Sequence, residues 1–211
     1  AIEQAMATGA EGLVQAGVVR DRATLRDFLL LSALPALRQV ELPLAAHAWR
    51  ALEQPDWERL ADLCLRSAAL KSAREAREAA DSVGRQRAEL LGRLRGHPLA
   101  QEYLRRAEEG GWPFSPAVSL ALEGRVAGAP LAAILAGLAY GTLSSLLAAA
   151  MKLLRLGQTA AQALLTEALA AAPAQIAAAE SVPLGEIGWY NPWLDIAAAR
   201  HEGAELRLFI S

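Results

Sequence analysis

The chain has 211 residues, a formal net charge of −2 and a pI near 6.0, which offers no electrostatic footprint for a nucleic-acid backbone or an anionic membrane surface. Hydrophobic residues make up 54% of it but aromatics only 5%. Alanine and leucine, the apolar residues with the best helix propensity, therefore carry the core, and the composition predicts an all-α protein. A chain of this size can bury roughly 70% of its unfolded surface. The single cysteine, Cys64, excludes an intramolecular disulfide and fits a reducing, cytoplasmic setting.

Punctuation by glycine and proline divides the chain into helices. The first runs to about Gln15 and stops at Gly17, a left-handed C-cap; it opens directly in helical pattern, as if the natural start lay upstream. A second begins near Thr24, and Pro35 and Pro43 are expected to break the pattern that follows, since neither can donate a backbone hydrogen bond. Pro55-Asp56-Trp57-Glu58 reads as a helix start. A charged helix covers Ala73 to Leu94 and ends at Gly96; another covers Leu99 to Ala107 and closes at Gly110-Gly111. Ser115 caps the next helix, and two long ones follow, Pro130 to Leu154 and Thr159 to Glu180. Ser181 to Pro192 reads as loop, Trp193 to Glu202 as a short helix, and the rest as an extended tail. The expectation is a single-domain bundle of about nine to ten helices over residues 1–211, with residues 203–211 as a docking tail.

From Val126 to Met151 no residue is charged, a stretch long enough to cross a bilayer. It is rich in Ala, Gly, Ser and Thr, which lowers its transfer energy, and its larger apolar residues recur at helical spacing. We read it as the central helix of the bundle, buried on nearly all sides, with a membrane-embedded helix as the alternative.

His47, His97 and His201 lie far apart, and with Cys64 alone among thiols no local metal site can be assembled. There is no phosphate-binding glycine loop or nucleophile elbow. The expectation is a protein without catalytic residues, metal or cofactor, with Cys64 packed as a small hydrophobe.

Two places carry more information. In Lys71-Ser72-Ala73-Arg74-Glu75-Ala76-Arg77-Glu78, the pairs Lys71–Glu75, Arg74–Glu78, Arg77–Asp81 and Asp81–Arg85 are spaced i,i+4. Either this is a solvated face, each pair contributing a few tenths of a kcal/mol, or it is a recognition surface. The end of the chain, Leu206-Arg207-Leu208-Phe209-Ile210-Ser211, is apolar where chain ends are usually polar. It either packs back on the bundle or docks into a partner.

The chain resembles the urease accessory protein F (UreF) family at these places and a third. Asp195-Ile196-Ala197, Arg200-His201-Glu202, Arg207-Leu208-Phe209 and Ser211 are similar to the family's C-terminal signature, with Glu205 and Leu206 where tyrosine and serine are usual. Ser72 to Glu78 resembles its SRETRE segment with Ala76 in place of threonine, and Lys152 to Gln158 its turn between two helices with Arg155 in place of proline. Glu41-Leu42-Pro43-Leu44 is similar to its DLPL. Gly9-Ala10-Glu11 and Gln15-Ala16-Gly17 resemble its opening, although Gln4 to Thr8 replaces the usual loop.

The resemblance implies an all-α accessory chaperone, homodimeric, that joins a scaffold (UreD, also called UreH) and the GTPase UreG and couples GTP hydrolysis to nickel insertion into apo-urease. It implies scaffold contacts at Arg200, His201, Glu202, Leu206, Arg207, Leu208 and Phe209. By the same resemblance, GTPase contacts are expected at Lys152, Arg74, Glu75 and Glu78, and Tyr140 is expected at the dimer interface. A helical interaction scaffold outside urease biology is the other reading.

Overall fold

The computed structural model describes residues 13–14 and 17–189. The expected helix at 193–202 and the tail lie outside the described residues, as do most of the first helix and residues 190–192 of the expected loop. Gly17 has φ +70°, the left-handed stop its sequence position predicts.

Helix α1 (Arg22–Phe28) starts two residues earlier than expected because Asp21 and Thr24 form a capping box. The Asp21 carboxylate accepts from the Thr24 amide at 2.9 Å, and the Asp21 amide donates to the Thr24 hydroxyl at 3.1 Å. The chain then passes through a π-helical turn, π1 (Leu29–Ala33), into α2 (Leu34–Gln39). Pro35 does not break it. The wide turn immediately before Pro35 draws aside the carbonyl four residues upstream that the ring would strike. Pro43 likewise sits in the first turn of α3 (Glu41–Ala51), where an amide proton would lack an intrahelical acceptor. The break falls between the two prolines, at Val40, with φ −124° and ψ −74°.

Helix α4 (Trp57–Ala69) is capped by Asp56, whose carboxylate accepts from the Arg59 amide at 3.0 Å. Its buried residues Leu60, Leu63, Cys64 and Ser67 are spaced i, i+3, i+4, i+7, the stripe a helix needs to face a core. Helix α5 (Arg74–Glu89) continues into π2 (Leu90–Leu94) and stops at Gly96, φ +65°. Helix α6 (Pro98–Gly110) buries Ala100, Tyr103, Leu104 and Ala107 and ends on left-handed Gly111. Ser115 caps α7 (Pro116–Val126), and α8 (Leu131–Leu153), α9 (Gln158–Ala179) and a 3-10 turn (Leu184–Glu186) complete the described chain. All described elements are helical or turns, and one hydrophobic core threads them.

The central helix is α7, contrary to the sequence expectation for α8. Helix α7 packs against α3, α5 and α8 and buries Ala117, Val118, Ser119, Ala121, Leu122 and Gly124. Its approach to α5 leaves no room for a Cβ on Gly84, which would lie 2.9 Å from the Ser115 backbone. Helix α8 forms an outer layer with α9; only 33% of its most apolar window is buried. Absence of charge on α8 therefore does not mark burial. By length and composition alone, two helical stretches, Arg22–Ala51 and Leu131–Leu153, are long and apolar enough to cross a membrane; in the first, 67% of the window is buried.

Cys64 is fully buried, its sulfur 3.4 Å from the Tyr103 hydroxyl. Burial pushes its thiol up to about 11. The native thiol should therefore resist a disulfide-exchange reagent at pH 8 and react fully once urea unfolds the protein. An unfolded thiol ionises near 9, so the folded state retains a proton the unfolded state has lost, and stability should fall as pH rises from 9 to 11. Rapid labelling of the native protein at pH 8 would refute the burial.

Candidate partner-binding surfaces

The turn between α4 and α5 is built around two cations. Lys71 lies before α5, too early to pair with Glu75 along a helix, and its side chain runs inward instead. Its Nζ donates to the Ser67 carbonyl at 2.8 Å and the Ser67 hydroxyl at 3.2 Å, and lies 3.4 Å from Glu41 Oε1. The two charged side chains are 6% and 2% exposed. Burial is tolerable because each charge also faces a favourable helix end: Lys71 the carbonyls closing α4, Glu41 the amides opening α3. The Ser115 hydroxyl donates to Ser67 Oγ at 2.9 Å, so the N-termini of α3 and α7 and the C-terminus of α4 meet at one buried polar hub.

Arg77 secures the turn from outside. Its Nη1 donates to the carbonyls of Lys71 at 2.8 Å and Ser72 at 2.7 Å, a use the sequence spacing with Asp81 did not foretell. Asp81 accepts the Phe114 amide at 2.7 Å and lies 3.9 Å from Arg85, which stacks over the Phe114 ring. What remains outward at the start of α5 is Arg74 and Glu78, paired at 3.8 Å with side chains 73% and 66% exposed, beside half-buried Glu75. Of the four expected pairs, Arg74–Glu78 and Asp81–Arg85 form; Lys71 and Arg77 serve the turn instead.

A second surface runs along α8. Ala132, Ala133, Ala136, Gly137, Tyr140 and Ala148 are exposed on it, an uncharged strip with the ring of Tyr140 54% exposed near its middle. Lys152 is exposed in its last turn, where a cation complements the helix C-terminus. Tyr140 and Lys152 stand three turns apart on one helix; the Arg74–Glu78 pair is on α5, and both helices pack against α7.

The expected scaffold contacts Arg200, His201, Glu202, Leu206, Arg207, Leu208 and Phe209 lie outside the described residues. The segment leading to them is pinned, which the loop reading of Ser181 to Pro192 did not foresee. His47 Nε2 lies 2.9 Å from the Val182 carbonyl, Arg50 donates to the Glu180 carbonyl at 3.2 Å, and Gln39 donates to the Glu186 carbonyl at 2.9 Å. The Gly188 amide donates to the Gln39 carbonyl at 3.1 Å. Gly188 also lies against Leu70, where an added Cβ would sit 3.7 Å from Leu70 Cδ2. At Gly188 the strap thus lies beside the turn that opens α5, and Leu70 and Trp189 are both partly exposed. Among the described residues no group of three or more His, Cys, Asp or Glu side chains is placed to hold a metal ion.

The model of the UreF family matches residues 19–169. A urease accessory protein UreF from Methylibium petroleiphilum (strain ATCC BAA-1232 / LMG 22953 / PM1) is 33% identical over 209 residues, covering 96% of this chain and 85% of that protein. The family match covers α1 to most of α9, including the polar hub and both described surfaces, and this chain belongs to the UreF family of urease accessory proteins.

Proposed function

We propose that this protein serves urease maturation as a non-catalytic accessory chaperone of the cytoplasm, folded as one domain over residues 1–211. It bridges a UreD/UreH-type scaffold and the GTPase UreG and couples GTP hydrolysis to nickel insertion into apo-urease. The observation that carries this reading is the family match across nearly the whole helical body. The scaffold takes the C-terminal segment, with Leu206, Leu208 and Phe209 as apolar anchors and Arg200, His201, Glu202 and Arg207 around them; aromatic and arginine anchors dominate such interfaces. The GTPase meets the exposed start of α5, at Arg74, Glu75 and Glu78, and Lys152 at the end of α8. Residues 203–211 act as the docking tail.

Two copies pair through α8. An uncharged helical strip in contact with water is a standing cost that a second copy removes, and Tyr140 offers it a large amphipathic contact. Tyr140→Asp should convert the dimer to monomer at micromolar concentration; a variant that still elutes with the dimer mass would remove α8 from the interface. The exposure and length of α8 also favour a second reading, in which this helix lies in a bilayer. That reading requires the protein to sediment with membranes and to need detergent for release.

Size-exclusion chromatography with light scattering tests the main reading, on the chain alone and mixed with a UreD-type scaffold and UreG. A dimer that joins both in one complex is the expected outcome. A protein that stays apart from both would end the reading and leave the fold alone standing.

A further inference from the structure

We infer that the buried Glu41–Lys71 pair is a positioning device for the partner-facing start of α5 rather than a source of stability; this rests on the reading that the GTPase meets Arg74, Glu75 and Glu78. Glu41 belongs to the Glu41-Leu42-Pro43-Leu44 motif, to which the proposed partner contacts assign no role. It opens α3 directly after the break at Val40 and reaches Lys71 across 30 residues of sequence.

Three observations point the same way. The N-cap residue of α5 is Ala73, whose side chain cannot accept a hydrogen bond from the first-turn amides. The turn before it is instead clamped twice, by Lys71 from inside and by Arg77 over the carbonyls of residues 71 and 72. The residue next to Glu41 across the break, Gln39, holds Glu186 and Gly188 of the strap, and Gly188 rests on Leu70. One short stretch, residues 39–41, therefore fixes both the entry to α5 and the root of the C-terminal segment. An apolar pair of similar size would fill the same space, and buried ion pairs replaced that way commonly lose no stability. What it could not do is hold the turn by directional hydrogen bonds, which is the part of the arrangement that a partner on α5 would feel.

The test is the double substitution Glu41→Leu with Lys71→Met in the full chain. Expected are unchanged helical circular dichroism, a Tm within a few degrees of wild type, and amide exchange about tenfold faster at residues 72–77 alone. UreG affinity should fall about tenfold while scaffold affinity holds. Glu41→Gln with Lys71→Gln, which keeps a hydrogen-bonding pair, should restore much of the UreG affinity. Wild-type exchange and UreG affinity in the apolar double variant would overturn the inference. So would failure of both double variants to fold, which would make the pair a stability element. Arg74→Glu with Glu78→Arg separates the two levels. If that surface swap weakens UreG binding and the buried replacement does not, only the positioning role falls; if neither does, the α5 reading falls and takes the inference with it.

Discussion

Lys71→Met alone should cost about 3–5 kcal/mol of folding stability, because it strands the Glu41 carboxylate in the interior. The Glu41 side chain is 2% exposed, with Lys71 as its ion-pair partner. Removing the cation also frees the Ser67 carbonyl and takes away one of the two donors to the Ser67 hydroxyl, leaving that from Ser115. For a chain of about 200 residues, that loss corresponds to a drop in Tm of roughly 10 °C. Adding Glu41→Leu should recover most of it, since the double variant buries neither charge. Urea titration of both variants checks this. A single variant within about 1 kcal/mol of wild type would show that water reaches the pair.

Deleting residues 204–211 should abolish scaffold binding, with a loss of at least about a hundredfold in affinity, while helical circular dichroism stays near that of the full chain. The magnitude follows from losing Leu206, Leu208 and Phe209 together, when a single buried anchor commonly accounts for 2 kcal/mol or more. Retention of the helical signal follows from the strap, which is held to α2 and α3 by hydrogen bonds of residues 182, 186 and 188 that the deletion leaves in place. Titration of the truncated chain against the scaffold decides the matter, and undiminished affinity would remove the tail from the interface. UreG binding provides the internal control, since its proposed contacts lie on α5 and α8.

Local signals were read well from the sequence. Gly17, Gly96 and Gly111 end helices with positive φ, and Asp56 and Ser115 cap them, because each acts through its own backbone or the next turn. The limits of α8 and α9 fall within a residue of their expected ends for the same reason. What escaped depends on distant parts of the chain. Whether α8 faces the core or the outside is set by α7, whose small residues let α3 and α5 close around it and leave α8 in an outer layer. Lys71 reads as one more surface cation until α3 brings Glu41 to it. The strap is invisible to local pattern because its partners Gln39, His47 and Arg50 stand more than a hundred positions away. Of the candidate site residues, the described ones are exposed or half-buried where a partner could reach them; the C-terminal ones lie beyond residue 189.

The two π turns share a trait with a bearing on how this chain tolerates insertion and loss. Leu31, Leu90 and Leu94 are 71%, 46% and 78% exposed, among the few large apolar side chains on the surface, and all three lie inside π1 or π2. A π turn accommodates one more residue than the α-helix around it, so a side chain is squeezed out while the flanking faces keep their aim. The turn at π1 is thus a spare link. Removing Leu31 would let the local chain relax to ordinary α-helix with the buried residues on either side still facing the core. A single deletion in the middle of α7 would instead rotate every following side chain by about 100°.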